Sequence, residues 1–478
     1  MITRLTQDYT QNIALIDREL NVDGNFDMLK KKLKVGQDEI TLYYIDGFVK
    51  DTVMQKLMIY LRSLDGLGEG DDAARRFTDE KMPYVEVEAT QNVGSMLQMV
   101  MSGASLMLGS RFGDWGVIID SRTYPARETS EPEDDRVMRG PRDGFVETLI
   151  SNTALIRRRI RDTNLVMSYM SIGSSSLTDV VVCYMRDKAD LNYVDKLKKQ
   201  LAGIRTKALN MGQQSLTECL IRTHWYDPFP KIRTTERPDT AVAQLFEGSV
   251  LVLCDNYPEA MILPTTIFDF LQETNDYYFP PLTGSYLRIV RHVVFWLTLV
   301  LIPTWYLLIN NPGVIPGWLD FIIPADTGRL PIIVQILLVE FIVDGLRMAS
   351  MNTPDMLSNS LSIVGGLILG DFAVSIGWLI PEVILYMAFV AIANFTQRNY
   401  ELGYAFKFMR IIMLILTAFF GVGGYVAGML LSVVLIAINK TVNGRRSYLY
   451  PLIPFDGPAL RSMLFRVLKR DVSTRQGE

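Results

Sequence analysis

Two groups of residues have types and spacings that could do chemistry, and both lie in apolar stretches. Glu340, Asp344 and Arg347 stand at i, i+4 and i+7, on one face of a helix. Such a face can form a charged ring that selects cations. It can equally be an internal salt-bridge cluster near a helix end, with Arg347 reaching the interface. The residues leave both readings open. Ser362, Gly366 and Gly370 recur every four positions, Gly377 follows seven later, and Asp371 sits beside them. A small-residue stripe lets another backbone approach closely. It therefore serves as tight helix packing, as the wall of a narrow conduit, or as a seam between identical subunits. A mid-span carboxylate costs roughly 2.5–3.5 kcal/mol on insertion scales, so Asp371 is expected to face protein or water. The cluster Gly421, Gly423, Gly424 reads as a tight turn between two apolar runs, with a hinge as the alternative.

Catalytic chemistry has little to work with. The two histidines, His224 and His292, have no metal-ligand spacing to each other. There is no GxxxxGK[ST] phosphate loop and no GxSxG. The glycines at 66, 68 and 70 sit in an acidic loop. Cys183, Cys219 and Cys254 are odd in number and lack a CxxC pair, which predicts reduced thiols rather than a disulfide framework or a zinc site. No catalytic residue, metal or cofactor is expected.

The elements that position these residues follow from an asymmetry along the 478 residues. From residue 291 onward there are 14 Lys+Arg against 11 Asp+Glu, and before it 34 against 41. The apolar runs concentrate in the basic half. The mildly acidic first half argues against nucleic acid as a partner. Its amino terminus lacks a signal-peptide core, so this half is expected in the cytoplasm.

Residues 1–62 read as helical, with 25–34 amphipathic. Residues 105–119 read as a β-hairpin, 123–143 as a polar loop and 144–161 as a helix ending in Arg157–Arg159. That basic run and the acidic loop 128–135 read as solvated surface, with a subunit interface as the alternative. Strands are expected at 180–185, 216–222 and 249–254, and a helix at 191–201. The phrase EGSVLVLCDNYPEAMILP loosely echoes 105–126, which raises an internal duplication.

Six apolar spans follow, at 292–309, 331–346, 361–380, 381–395, 408–420 and 424–439. A span of 18 residues at 1.5 Å each covers most of a core of about 30 Å. The tail after 439 holds eight Lys/Arg against three acids, and Arg288 and Arg291 flank the first span. Both ends are therefore expected inside, which requires an even number of crossings. Six crossings also place Arg347, Arg398, Lys407 and Arg410 inside; a four-crossing arrangement is the alternative.

The expected fold class is an α+β cytoplasmic amino-terminal region with two small α/β subdomains, followed by an all-α polytopic transmembrane domain. The boundaries are 1–90 helical region, 91–170 and 171–285 α/β subdomains, 286–440 transmembrane domain and 441–478 basic cytoplasmic tail.

Residues 130–162 (SEPEDDRVMRGPRDGFVETLISNTALIRRRIRD) and 227–270 resemble the GerA-type spore germination proteins of the A-subunit class. So do NSLSIVGGLILGDFAV (359–374) and AIANF (391–395). YYFPPLTGSYLRIVR (277–291) and NYELGYAFKFMRI (399–411) are most similar to its SpoVAF subgroup. The resemblance implies a multi-pass protein of the spore inner membrane, with both termini cytoplasmic. It implies a homo-oligomeric, pentameric ion channel for monovalent cations that amplifies germination. The implied partners are a small membrane protein and other germination receptor subunits. The alternative is a receptor or scaffold subunit that senses nutrient or partner proteins and conducts nothing. Where the family often has Gln, this chain has Asp371, which bears on selectivity.

Overall fold

The computed structural model describes residues 4–49, 51–68, 70, 72–84, 86–123, 137–221, 224–352, 372–397, 399–442 and 447–466. The chain divides into two compact units. One is Met1–Thr223 with Ile232–Pro264; the other is His224–Lys231 with Thr265–Glu478.

The first unit opens with α1 (Tyr9–Glu19), β1 (Met28–Val35), β2 (Asp38–Ile45) and α2 (Asp51–Arg62). β3 (Val87–Thr90), α3 (Val93–Met101), β4 (Ser105–Gly109) and β5 (Gly116–Ile119) complete its first half. The second half runs α4 (Leu149–Arg159), β6 (Leu165–Ile172), β7 (Thr178–Met185), α5 (Leu191–Ala202) and α6 (Gly212–Leu220). It ends with β8 (Arg233–Thr235), α7 (Pro238–Phe246), β9 (Val250–Cys254) and β10 (Ala260–Leu263).

Each half builds one antiparallel sheet. The orders are β1-β2-β4-β5-β3 and β6-β7-β9-β10-β8, the same path offset by five strands. The unit is therefore an internal duplication, and the echoing phrases fall on the equivalent pairs β4–β5 and β9–β10. A side-chain device repeats with the fold. The Asn12 amide accepts from Thr6 N at 2.7 Å and donates to Thr6 O at 2.7 Å. The Asn152 amide does the same to Val146, at 2.8 and 2.5 Å. Both asparagines are buried and clamp the approach to the first helix of their half, so the entry to each helix has its polar groups satisfied.

Arg157 joins the halves. Its guanidinium donates to both Asp27 carboxylate oxygens at 2.8 Å and to the Asn25 side-chain oxygen at 3.3 Å. The Arg157 and Asp27 side chains are 0% and 2% exposed. The basic run is thus not simply solvated surface: Arg157 is interior, Arg158 is exposed, and Arg159 meets Asp143 at 2.5 Å.

Three expectations are corrected. Residues 28–45 are a hairpin, not helix, so 1–90 is not a helical region. The helical spacing of Phe26, Leu29 and Leu33 is local. Gly36, with φ +60, begins a two-residue turn closed by the Val35–Asp38 pair, and β-branched Ile40 and Thr41 follow. Because β1–β3 share a sheet with β4 and β5, no boundary falls at 90. α4 and β6 belong with the second sheet, which moves them out of the expected 91–170 subdomain. Finally, the expected strand at 216–222 is helical through Leu220, where Leu216 and Leu220 sit one turn apart; residue 222 lies outside the described residues. The hairpin at 105–119, the strands near 180 and 250 and the helix near 191 stand as expected.

The second unit contains α8 (Pro281–Ile309), α9 (Ile332–Asn352), α10 (Pro381–Phe395), α11 (Tyr400–Ile438) and α12 (Gly457–Leu464). Among the described residues, α8 and α11 are long and apolar enough to cross a membrane. α11 is not one rod. Gly421 leaves helical geometry at φ 57, ψ −132, and the chain turns back. A methyl on Gly424 would sit 1.9 Å from the Leu416 carbonyl oxygen, and one on Gly428 would sit 2.9 Å from Met413 Cα. In a straight helix, residues 416 and 424 lie about 12 Å apart. Residues 400–420 and 422–438 therefore form a helical hairpin, in which the glycines make the tight turn and the close approach. Phe295 of α8 packs on Phe406 of α11 with ring centroids 4.0 Å apart, at the centre of the apolar core.

Candidate functional site

The charges on α9 are answered from α11. Glu340 and Asp344 face the same way because they are one turn apart. Lys407 and Arg410, separated by three residues on α11, come down onto them. Arg410 Nη2 and Nε donate to Glu340 Oε1 at 2.5 and 2.9 Å, and Nη1 donates to the Thr298 carbonyl of α8 at 2.8 Å. Lys407 Nζ lies 3.1 Å from Glu340 Oε2 and 2.5 Å from Asp344 Oδ2, and donates to the Glu340 carbonyl at 3.2 Å. Glu340, Lys407 and Arg410 are buried. Two acids meet two bases, so the cluster is neutral.

Arg347, one turn beyond Asp344, lies over three aromatic rings. Its guanidinium carbon is 5.1 Å from the Phe395 centroid, 5.6 Å from Tyr400 and 5.5 Å from Tyr404. These distances suit cation–π attraction, which favours arginine over lysine through the planar guanidinium. Between Arg347 and the ion pairs is a cavity of about 10 Å³, lined by Glu340, Asp344, Asn394, Tyr404 and Lys407 among others. Its volume is that of about one water.

At the other end of α9, Gln335 is 0% exposed. Its Nε2 donates to the Thr327 and Leu330 carbonyls at 2.9 and 2.8 Å, and its Oε1 accepts from Ile380 N at 2.9 Å. One satisfied amide thus ties the entries of α9 and α10 to the loop between α8 and α9.

Of the expected site residues, Glu340, Asp344 and Arg347 come together as one face. Ser362, Gly366, Gly370 and Asp371 lie outside the described residues. Gly377 does not continue a helical stripe. It has φ +78 in a turn beyond the short helix Ala373–Ser375, and its carbonyl accepts from Arg329 N at 2.9 Å. The sevenfold spacing from Gly370 matches a helix period by sequence alone. Lys407 and Arg410, counted above among the charges on the inner side, are helix-borne ion-pair partners. Their i, i+3 spacing in an apolar helix puts them on one face, as the i, i+4 spacing does for the acids, and is the signal the sequence carries.

A duplicated α/β unit and an apolar helical unit in which Glu340 and Asp344 are answered by Lys407 and Arg410 point to a membrane protein with a substantial polar domain. The sequence model of the Bacillus/Clostridium GerA spore germination protein matches residues 15–477, and the chain belongs to that family. Stage V sporulation protein AF of Bacillus subtilis (strain 168) is 34% identical over 472 residues, which covers 99% of this chain and 95% of the relative. Spore germination protein KA of the same organism is 27% identical over 470 residues, covering 97% and 85%. Among solved structures, the N-terminal domain of the A subunit of the Bacillus megaterium spore germinant receptor GerK3 is 22% identical with a TM-score of 0.42, covering 55% of this chain and 96% of that one.

Proposed function

We propose that this chain is a subunit of an oligomeric membrane channel that releases monovalent cations during spore germination and so amplifies the response. The supporting frame is family membership and helices able to cross a bilayer. The observation that carries the reading concerns where charge is left over. Glu340 and Asp344 are consumed by Lys407 and Arg410, so they are poor candidates for a charged ring. Asp371 is the single charged residue in the apolar run 361–380, and a carboxylate there needs water or protein around it. The conduit is therefore assigned to the stripe Ser362, Gly366, Gly370 and Asp371.

The protein is multi-pass, in the spore inner membrane, with both termini cytoplasmic. Lys407 and Arg410 no longer inform the charge count, since paired buried charges do not report on loops. The orientation rests on the basic residues after 439. Its partners are further copies of itself, other germination subunits and a small membrane protein.

The test is a bilayer recording of the purified full chain with its partners supplied. Current carried by K⁺ or Na⁺ is expected, and Asp371→Asn lowers it or alters selectivity. A silent bilayer overturns the channel reading. One observation favours a second reading, a non-conducting receptor or scaffold subunit: the α9 face is closed by ion pairs around a cavity of about 10 Å³, as a packed bundle would be. That reading predicts no current together with retained binding of partner subunits.

A further inference from the structure

We propose that Trp225 and Tyr226 form an interfacial anchor, seated in the headgroup region of the bilayer that α8 and α11 enter. The inference rests on the membrane part of the proposed function and not on conduction. Trp225 is 98% exposed and Tyr226 62%. Water-facing placement of two large adjacent rings has no packing reason in a soluble loop, whereas Trp and Tyr concentrate at membrane interfaces, where an apolar ring and a polar edge are both accommodated. The rings are arranged among themselves: His224 stacks on Tyr226 at 5.1 Å with planes 7° apart, and Trp225 meets Tyr226 edge-on at 6.1 Å.

Their position is fixed by the end of the last apolar helix. Asn439 directly follows α11, whose final residue Ile438 is 69% exposed. Asn439 Nδ2 donates to Asp227 Oδ1 at 3.4 Å, Asp227 Oδ2 lies 2.9 Å from Lys231 Nζ, and that ammonium also donates to Asn439. The loop is held from its far side as well. Tyr448 donates to the Pro230 carbonyl at 2.8 Å and faces Phe229 with ring centroids 6.0 Å apart. Trp225 is two residues from Asp227, so its backbone lies within about 7 Å of that clamp. The headgroup layer on each side of a core of about 30 Å is itself about 5–7 Å thick. Rings this close to the exit of an apolar helix fall in that layer. A second exposed apolar turn, Leu452, Ile453 and Phe455, follows from the same anchored Tyr448, and extends the apolar rim beside the helix exit.

The experiment is fluorescence quenching of the full chain in lipid nanodiscs, comparing it with Trp225→Phe to isolate Trp225 and with Trp296→Phe to isolate a ring inside α8. Lipids brominated near the carbonyl or deep in the acyl chain, and aqueous iodide, are the quenchers. The Trp225 component is expected to lose most of its emission to shallow bromines, less to deep ones and little to iodide. If Trp296 is quenched by deep bromines while Trp225 answers to iodide alone, the anchor is overturned and membrane insertion stands. If Trp225 answers to neither quencher, a protein surface covers it and the anchor is again overturned. If neither tryptophan answers to bromine, insertion itself fails and the anchor falls with it.

Discussion

Arg410 and Glu340 stand seventy positions apart in the chain, yet two guanidinium nitrogens of the one share a single carboxylate oxygen of the other, at 2.5 and 2.9 Å. They are 1% and 6% exposed. In so apolar a setting neither charge is tolerable alone, because a buried ion loses its water without recompense. The pair, with Lys407 and Asp344, holds α9 against the first half of α11.

Glu340→Ala should therefore cost about 3–5 kcal/mol by leaving Arg410 and Lys407 short of a counter-ion. Thermal unfolding of the full chain in detergent reads this as a large drop in Tm. Replacing both partners, Glu340→Leu with Arg410→Met, should recover much of the loss, since it removes the charges as well as the bond. A double variant no more stable than the single one would show that the pair has no coupling.

The duplicated clamps give a matched pair of tests. Asn12→Ala strips the partner from Thr6 N, and Asn152→Ala strips the partner from Val146 N. Each should cost about 1–3 kcal/mol, the usual penalty for orphaned part-buried polar groups. Amide exchange on the full chain should speed up at Thr6 in one variant and at Val146 in the other. Equal exchange in wild type and variants would remove the clamp role.

The helical hairpin sorts its own glycines. Gly421 has φ 57 and ψ −132, a region essentially confined to glycine, so Gly421→Ala should cost about 1–3 kcal/mol. Gly424→Val should be worse, since even one carbon there would lie 1.9 Å from the Leu416 carbonyl. Gly423→Ala should be nearly neutral, with nothing within 4 Å of the added carbon. Cysteine pairs placed at 413 and 428 should crosslink readily; failure to do so would argue for one continuous helix.

The thiols offer a pH test. Burial pushes the Cys183 thiol far up and the Cys254 thiol to about 11. A raised pKa keeps the unreactive protonated form at any pH below it, and the thiolate is the nucleophile. Cys219 is exposed. Maleimide at pH 8 should label one cysteine in the folded chain and three after denaturation. Two fast-reacting thiols in the native protein would contradict the packing of β7 and β9.

Local periodicity is legible in the order of the residues. The division into polar and apolar halves, the hairpin at 105–119, the strand near 250, the hairpin glycines and the carboxylate face of α9 all follow from spacing along a few turns or a few residues. The loose echo between 105–126 and 247–264 carries the duplication faintly, and the Asn12 and Asn152 clamps, each six residues from its partner, carry it again. Spacing fails where two periods compete. Leu29 and Leu33 fit a helix as well as a strand, and the outcome depends on the Gly36 turn and the sheet beyond it. It fails also where a partner is distant. Nothing near Glu340 names Lys407 or Arg410, and nothing near Arg157 names Asp27, because a charge accepts any opposite charge that the fold delivers. The sequence by itself determined which charges sit in apolar surroundings and so must be answered. Only the tertiary structure decided by whom, since burial makes the pairing obligatory and the packing of helices sets which side chains arrive within reach.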